Sequence, residues 1–264
     1  MNQPLAYIHS EAKIAQNVVV EPFTVIHKNV EIGEGTWIGS NVTIFEGARI
    51  GKNCKIFPGA VISAVPQDLK FAGEDTTTKI GDNTVIRECV TINRGTADKH
   101  KTEIGANCLI MAYAHIAHDC IIGNNVIIAN SCQLAGHIIV EDFANIGGMT
   151  AVQQFVRIGR HVYIGGCSQV RKDVPPFMKA AREPLSYAGV NSVGLRRKGF
   201  TNEQIADIQN IYRYLYLKGF NNSDAIERIE LDLPASIERD EIVNFVKSSD
   251  RGVIKRGNGA STAE

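Results

Sequence analysis

Residues 32–57 read IGEGTWIGSNVTIFEGARIGKNCKIF, with isoleucine at every sixth position: Ile32, Ile38, Ile44, Ile50 and Ile56. Working outward, the same lattice holds Ile8, Ile14, Val20 and Ile26 before this stretch and Ile62 after it. It resumes at Ile80, Ile86 and Ile92, then runs from Ile104 through Ile110, Ile116, Ile122, Ile128, Leu134, Val140, Ile146, Val152, Ile158 and Ile164 to Val170. The next residue is often glycine (Gly33, Gly39, Gly51, Gly81, Gly105, Gly123, Gly147, Gly159, Gly165). Two residues before the aliphatic the chain is small or β-branched: Thr24, Ala48, Cys54, Cys108, Ala114, Cys120, Cys132, Ala144, Thr150. A six-residue unit is too short for a helix or a hairpin but fits one short strand plus one turn, with glycine easing the corner and the small residue facing inward. Three units make a triangular coil of about 18 residues, and stacked coils pair their strands in parallel at ~4.8 Å.

This pattern resembles the hexapeptide-repeat, left-handed β-helix family. The left hand is implied by the resemblance; the general crossover rule favours the right.

Two polar stretches, 63–79 and 93–103, lack the aliphatic and are expected to loop outward, where binding residues concentrate. The lattice count survives them, since 62 to 80 is 18 and 92 to 104 is 12. The repeat is expected to stop at Asp173–Phe177, where paired prolines break the ladder. Beyond it, Thr201 and Gln204 form a capping box ahead of Ile205, Ile208, Tyr212 and Leu215, with Gly219 as the stop. Ser223–Asp224 is expected to cap a second helix, and Asp240–Ser248 to form a third. The reading is a mainly β chain: a parallel β-helix over 1–184 and a small C-terminal α-helical domain over 185–264, with a disordered tail after Arg256.

Lys+Arg and Asp+Glu both number 28 among 264 residues, which argues against broad capture of nucleic acid or an anionic membrane. An anionic partner must be met by a local patch. The N-terminus has no basic and apolar leader pattern, and no run of 18 apolar residues exists, so no signal peptide, no transmembrane segment and a cytoplasmic location are expected.

The six cysteines form no CxxC pair, and Cys54, Cys108, Cys120 and Cys132 sit at the inward small-residue position, which reads as packing. His9, His27 and His100 are isolated. In AHIAHDC (114–120), Ile116 points inward, so His118 falls at a corner or outward position where a core role explains little. One coil on from His118 is Gly136, and one further is Gln154; likewise Asp119 stacks with His137, and His137 with Phe155. A histidine, a carboxylate to orient it and a glycine amide make an acyl-transfer site. No serine or cysteine nucleophile lies in that column, which favours direct transfer with His118 as general base.

The segments PQDLKFAGE (66–74), AHIAHDC (114–120), LAGHIIVEDFANIGGMTAVQQF (134–155), IGGCS (164–168) and GVNSVGLRRKGF (189–200) are similar to the UDP-N-acetylglucosamine acyltransferase family, which performs the first step of lipid A biosynthesis. The resemblance covers nearly the whole chain. It implies a homotrimer with sites between neighbouring β-helices, moving an (R)-3-hydroxyacyl chain from acyl carrier protein to the 3-hydroxyl of UDP-N-acetylglucosamine. It implies His118 as base, Asp119 to orient it and the Gly136 amide for the oxyanion. His115 and His137 would position sugar and acyl chain; Gln67, Asp68 and Lys70 would reach in from the neighbouring chain's loop. Gln154, Asn191 and Arg197 would hold nucleotide and sugar. No metal and no cofactor is implied beyond the carrier protein's phosphopantetheine. Gln153 stands where related sequences carry a histidine, and Val193 where they carry a glutamate near the uridine.

Gly-Gly recurs at 147–148 and 165–166, one coil apart. Corner geometry explains it, as does a groove for a medium-to-long acyl chain; the resemblance implies a chain-length stop at Gly166. The run Arg196-Arg197-Lys198 is either a solvated turn or a patch for a diphosphate or an acidic carrier protein. Three rivals use the same repeat. A trimeric zinc enzyme needs three converging histidines. A non-catalytic β-helix needs none. An N-acyltransferase of the next sugar intermediate carries an extra N-terminal domain, for which a repeat starting at Ile8 is expected to leave no room.

Overall fold

The computed structural model describes residues 4–256. The repeat forms strands mostly two residues long, sorted by turns into three parallel sheets. Sheet 1 runs from Tyr7–Ile8 to Gln169–Val170 in nine strands, sheet 2 from Lys13–Ile14 to Arg157–Ile158 in eight, and sheet 3 starts at Val19–Val20. Register confirms the 18-residue coil: Ile116 pairs with Leu134, Ile122 with Val140, and Ile128 with Ile146. The three sheets close a left-handed parallel β-helix.

The lattice aliphatics fill the prism. From Val20 onward every one is buried, and Ile8 and Ile14 pack against the core at the open end. Each such side chain contributes about 1.5–3 kcal/mol relative to exposure. The small-residue position is equally buried, and its polar members other than Thr78 find partners: the hydroxyls of Thr24, Thr36 and Thr84 donate to the carbonyls of Gly39, Gly51 and Gly105 at 2.7–2.9 Å. The thiols of Cys108, Cys120 and Cys132 reach the equivalent carbonyls of Gly123, Ala135 and Gly147 at 3.1–3.2 Å. Here cysteine is a small apolar residue that can replace threonine as a weak donor.

The corners demand left-handed backbone. Asn17, Asn29, Asn41, Asn53, Asn83, Asn107 and Asn125 all have φ between +52° and +57°. Asparagine tolerates that region better than other residues with a Cβ.

Both polar stretches cross the same corner. Ile62 lies in sheet 1 and Ile80 in sheet 2, so the 18-residue step from one to the other covers one side of the triangle, not a full coil. Ile92 and Ile104 repeat the arrangement one coil later. The two loops therefore emerge together at the sheet 1–sheet 2 corner. Asn93 Nδ2 donates to the Val65 carbonyl at 3.2 Å, and the Arg94 guanidinium lies 5.5 Å from the Phe71 ring centre, tying one loop to the other.

The prolines do not end the ladder. Val174 bridges Ile158, and Met178–Ala181 pairs in parallel with Tyr163–Ile164 in sheet 3. The chain shortens one turn, so Ala180 lies 16 residues after its partner Ile164 instead of 18. Ser186–Val190 then adds an antiparallel edge strand before any helix begins. Among the described residues four helices follow: α1 (Ser192–Arg197), α2 (Asn202–Tyr216), α3 (Asn222–Asp232) and α4 (Ile237–Lys247). The Thr201–Gln204 capping box is present, and Gly219 takes φ +80° just past α2. The α3 cap is Asn221 instead of Ser223–Asp224, and α4 starts earlier than Asp240, on Ser236. In both cases an Asn or Ser side chain accepts from the N3 amide, satisfying a donor the helix itself leaves open. The tail expected to be disordered lies outside the described residues.

Phe200 seats the helical region on the β-helix, packing edge-on against His161 and Phe177. His161 stacks on Phe143 at 4.7 Å and on Phe177 at 5.9 Å. Burial, then the charges of Arg160 and Lys198, push His161 from its ordinary 6.5 down to about 4. The unfolded chain therefore takes up a proton below 6.5 that the folded chain refuses until about 4, so stability is lost as pH falls through that window. A His161→Phe chain is expected to show a smaller drop in Tm between these pH values than the wild type; equal drops would remove this assignment.

Candidate active site

The corner carrying both loops also carries His118. The turn after His115–Ile116 places His118 first and Asp119 second, with Asp119 at φ +59°. One coil on, Gly136 and His137 hold the same two places, then Gln154 and Phe155. The stack is direct: the His137 N–H donates to the His118 carbonyl at 3.0 Å, and the Phe155 N–H to the Gly136 carbonyl at 3.2 Å. The left-handed places that asparagine fills elsewhere are here filled by Asp119, His137 and Phe155.

Asp119 is fully buried, and both its oxygens are occupied. Oδ1 accepts from the amides of Thr96 (3.0 Å) and Lys99 (3.2 Å), and Oδ2 from the Thr96 hydroxyl (2.6 Å). His118 Nδ1 lies 2.8 Å from the same Oδ2. Burial alone would raise the carboxyl, but the Thr96 hydroxyl, the His118 ring and the two amides outweigh it and hold the group below its ordinary value. An ionised Asp119 keeps the His118 proton on Nδ1, leaving Nε2 as a lone pair facing outward. Asp68 Oδ2 lies 4.0 Å from that Nε2.

Gly136 has to be glycine. A Cβ there would sit 2.7 Å from His118 Cε1 and 2.8 Å from Nε2. Its φ is not the reason; the imidazole occupies the space a side chain would need. The Gly136 N–H donates to no backbone carbonyl among the described residues.

His137 stacks on Phe155 at 4.6 Å and meets His118 edge-on at 5.0 Å. A cleft of ≈ 350 Å³ opens over it, lined by Asp68, Lys70, Thr96, Asp98, Gln154 and neighbouring residues. Lining residues Asp68 and Lys70 belong to the same chain's own loop, where the resemblance implied a neighbour's; the loop folds back because both polar stretches leave at this corner. Gln67 is exposed on that loop, outside the lining. His115 lies on sheet 1 beside the corner, its Nδ1 2.7 Å from the Thr91 hydroxyl. Burial, then the His118 ring, lower its basicity.

His118, Asp119 and His137 offer ligand atoms within 4.8 Å of one another, a group that could hold a metal ion. The donor set argues otherwise, because four hydrogen-bond donors already take the lone pairs of Asp119. Cys120, next in sequence, is no nucleophile: it is buried and its thiol is pushed up to about 12.

Three expected residues lie elsewhere in the chain. Asn191 and Arg197 line a separate cleft at the sheet 2–sheet 3 corner, with His161, Tyr163, Lys179 and Lys198. Asn191 is committed locally, accepting from Gly194 N–H to cap α1 and donating to the His161 carbonyl at 3.0 Å. Val193 lines the same cleft, and Lys198 Nζ lies 4.9 Å from the Phe143 ring centre. Gly166 sits at the sheet 3–sheet 1 corner over Gly148, whose carbonyl a Cβ at 166 would meet at 3.1 Å. Sequence reading missed Thr91, Thr96, Asp98 and Lys99. The three in the second loop lie where the lattice loses its aliphatic, so no period placed them; their only signal was membership of a polar loop.

Fold and corner site together define a hexapeptide-repeat acyltransferase. The bacterial transferase hexapeptide (six repeats) family matches residues 11–46, 29–64 and 101–136, and the family described as Udp N-acetylglucosamine O-acyltransferase, Domain 2, matches 173–254. A Chlorobaculum parvum protein named acyl-[acyl-carrier-protein]--UDP-N-acetylglucosamine O-acyltransferase is 53% identical over 250 residues, covering 94% of this chain and 95% of its own. One of the same name from Sulfurihydrogenibium sp. is 53% identical over 251 residues, covering 95% and 93%. The crystal structure of LpxA, a UDP-N-acetylglucosamine acyltransferase from Bacteroides fragilis, matches with a TM-score of 0.95 at 52% identity, covering 96% of this chain and all of that one. The chain belongs to the UDP-N-acetylglucosamine O-acyltransferase family.

Gly136→Ala is expected to displace the imidazole and lower turnover at least ~100-fold, the scale of a misplaced catalytic base. Its melting temperature should stay near the wild type's, because position 136 lies at a corner and not among the side chains that fill the prism. Full activity in that variant would remove the close approach from the argument.

Proposed function

We propose that this corner moves an (R)-3-hydroxyacyl chain from the phosphopantetheine thioester of acyl carrier protein to the 3-hydroxyl of UDP-N-acetylglucosamine. One observation carries the reading: Asp119 holds His118 by Nδ1, while Nε2 lies against the side-chain-free face of Gly136 and 4.0 Å from Asp68, which lines the cleft. Nε2 takes the proton of the 3-hydroxyl as its oxygen attacks the thioester carbonyl. The tetrahedral oxyanion meets the Gly136 N–H. Collapse breaks the C–S bond, and the imidazolium returns its proton to the leaving thiolate. The buried, unreactive Cys120 supports direct transfer over a covalent acyl-enzyme.

In this reading Asp68, Lys70, His115, His137 and Gln154 surround the sugar and the acyl carbonyl. Gln67, exposed on the first loop, joins them only if substrate draws that loop inward. Asn191, Arg197 and Lys198 hold the nucleotide. Those three sit at a different corner from His118, so a second copy must bring its own cleft against this one. A homotrimer does that, and it covers Phe23, Tyr113 and Met149, which are 61–69% exposed along the sheet 3–sheet 1 corner. Gly148 and Gly166 on that corner leave room for the acyl tail. The reaction uses no metal or cofactor of its own. It opens lipid A biosynthesis in the cytoplasm; among the described residues no helix is long and apolar enough to cross a membrane.

His118→Ala is expected to keep the wild-type assembly size in sedimentation and to lower acyl transfer at least ~100-fold, the range of lost general-base catalysis. The assay uses pure protein, UDP-N-acetylglucosamine and a ladder of hydroxyacyl carrier-protein donors. Near-normal transfer would exclude the role. Activity should also survive exhaustive chelation; loss restored by zinc would favour the metal-dependent rival.

A further inference from the structure

The second loop does more than hold Asp119. Its tip carries Asp98, whose Oδ2 lies 3.1 Å from Nδ1 of His137. That ring nitrogen is buried and has no partner in full hydrogen-bond geometry. A buried ring nitrogen left unpaired is costly, and a neutral imidazole must place its one proton on one nitrogen or the other. The opposite nitrogen, Nε2, lies 3.9 Å from Asp119 Oδ2, an oxygen already taken by the Thr96 hydroxyl and the His118 ring. The ring cannot turn away, because Phe155 stacks on one face and His118 meets it edge-on. Asp98 is free to adjust: its side chain is 61% exposed, and a small rotation brings its carboxylate into line with Nδ1.

The geometry points to Asp98 as a positioning residue that fixes the tautomer of His137. With the carboxylate beside it, Nδ1 keeps the proton, and Nε2 is presented as a lone pair inside the cleft. There it accepts an O–H or amide N–H from the sugar nucleotide. The site then holds two histidine–carboxylate pairs of unlike purpose. His118–Asp119 is buried and ordered, and its free nitrogen takes a proton. His137–Asp98 is half in solvent, and its free nitrogen only accepts a hydrogen bond. This rests on the proposed function for the identity of the substrate, but not for the tautomer.

The test uses Asp98→Asn and Asp98→Glu in the full chain. The asparagine can donate its amide to Nδ1, which moves the ring proton to Nε2 and turns the acceptor into a donor. Asp98→Asn is expected to raise KM for UDP-N-acetylglucosamine about tenfold, the scale of one misdirected hydrogen bond, with kcat little changed. Asp98→Glu should restore it. In ¹⁵N-histidine-labelled protein, the His137 ring should show the Nδ1–H form in the wild type and the Nε2–H form in Asp98→Asn. A wild-type ring in the Nε2–H form, or an unchanged KM in Asp98→Asn, overturns the proposal. The ring spectrum is read without substrate, so failure of the acyl-transfer reading, seen through His118→Ala, remains separate from failure here.

Discussion

The stacking of one buried aliphatic on the next, coil upon coil, governs everything else in this molecule. Each lattice side chain meets its neighbours in the same sheet and across the prism, and the interior has no room for a residue out of step. Because most strands are only two residues long, a corner comes every six residues along the repeat and must bend sharply. Left-handed backbone at a residue with a Cβ costs roughly 1–2 kcal/mol. The chain carries many such corners because ladder bonds and interior packing over-determine them. A rigid corner then becomes a place where side chains are displayed in columns at a fixed rise.

At one corner the asparagines give way to Asp119, His137 and Phe155, and that column is the candidate site. The same rigidity explains why two loops can serve it. Both leave sheet 1 and re-enter sheet 2 in successive coils, immediately before the coil of His118. The second loop wraps the buried Asp119 with two amides and a hydroxyl; the first brings Asp68 to the exposed side of the imidazole. Asn93 and Arg94 bind the loops to each other, so the carboxylate environment is set before substrate arrives. In the proposed reaction, preorganisation of this kind is what lets a single imidazole act as a base without a covalent nucleophile.

Glycine serves two distinct purposes along the chain. Gly35 and Gly47 take positive φ at corners. Gly136 does not; it is small because an imidazole lies against it. A sequence shows the same letter in both cases, and only the neighbouring coil tells them apart.

The sequence alone determined the prism, because a strict six-residue period of buried aliphatics admits one short strand per unit, and three units per turn then place residues eighteen apart in contact. From that followed the His118–Gly136–Gln154 and Asp119–His137–Phe155 columns. Tertiary structure decided what the period does not reach. It showed that the loops cross one corner together, that Asp68 and Lys70 belong to the same chain as His118, and that Thr96, Asp98 and Lys99 complete the site. It separated Asn191, Arg197 and Gly166 from His118, and it carried the ladder past the prolines. Periodicity constrains residues on the lattice; loop residues are placed by hydrogen bonds to partners distant in sequence, and those partners exist only once the coils have stacked.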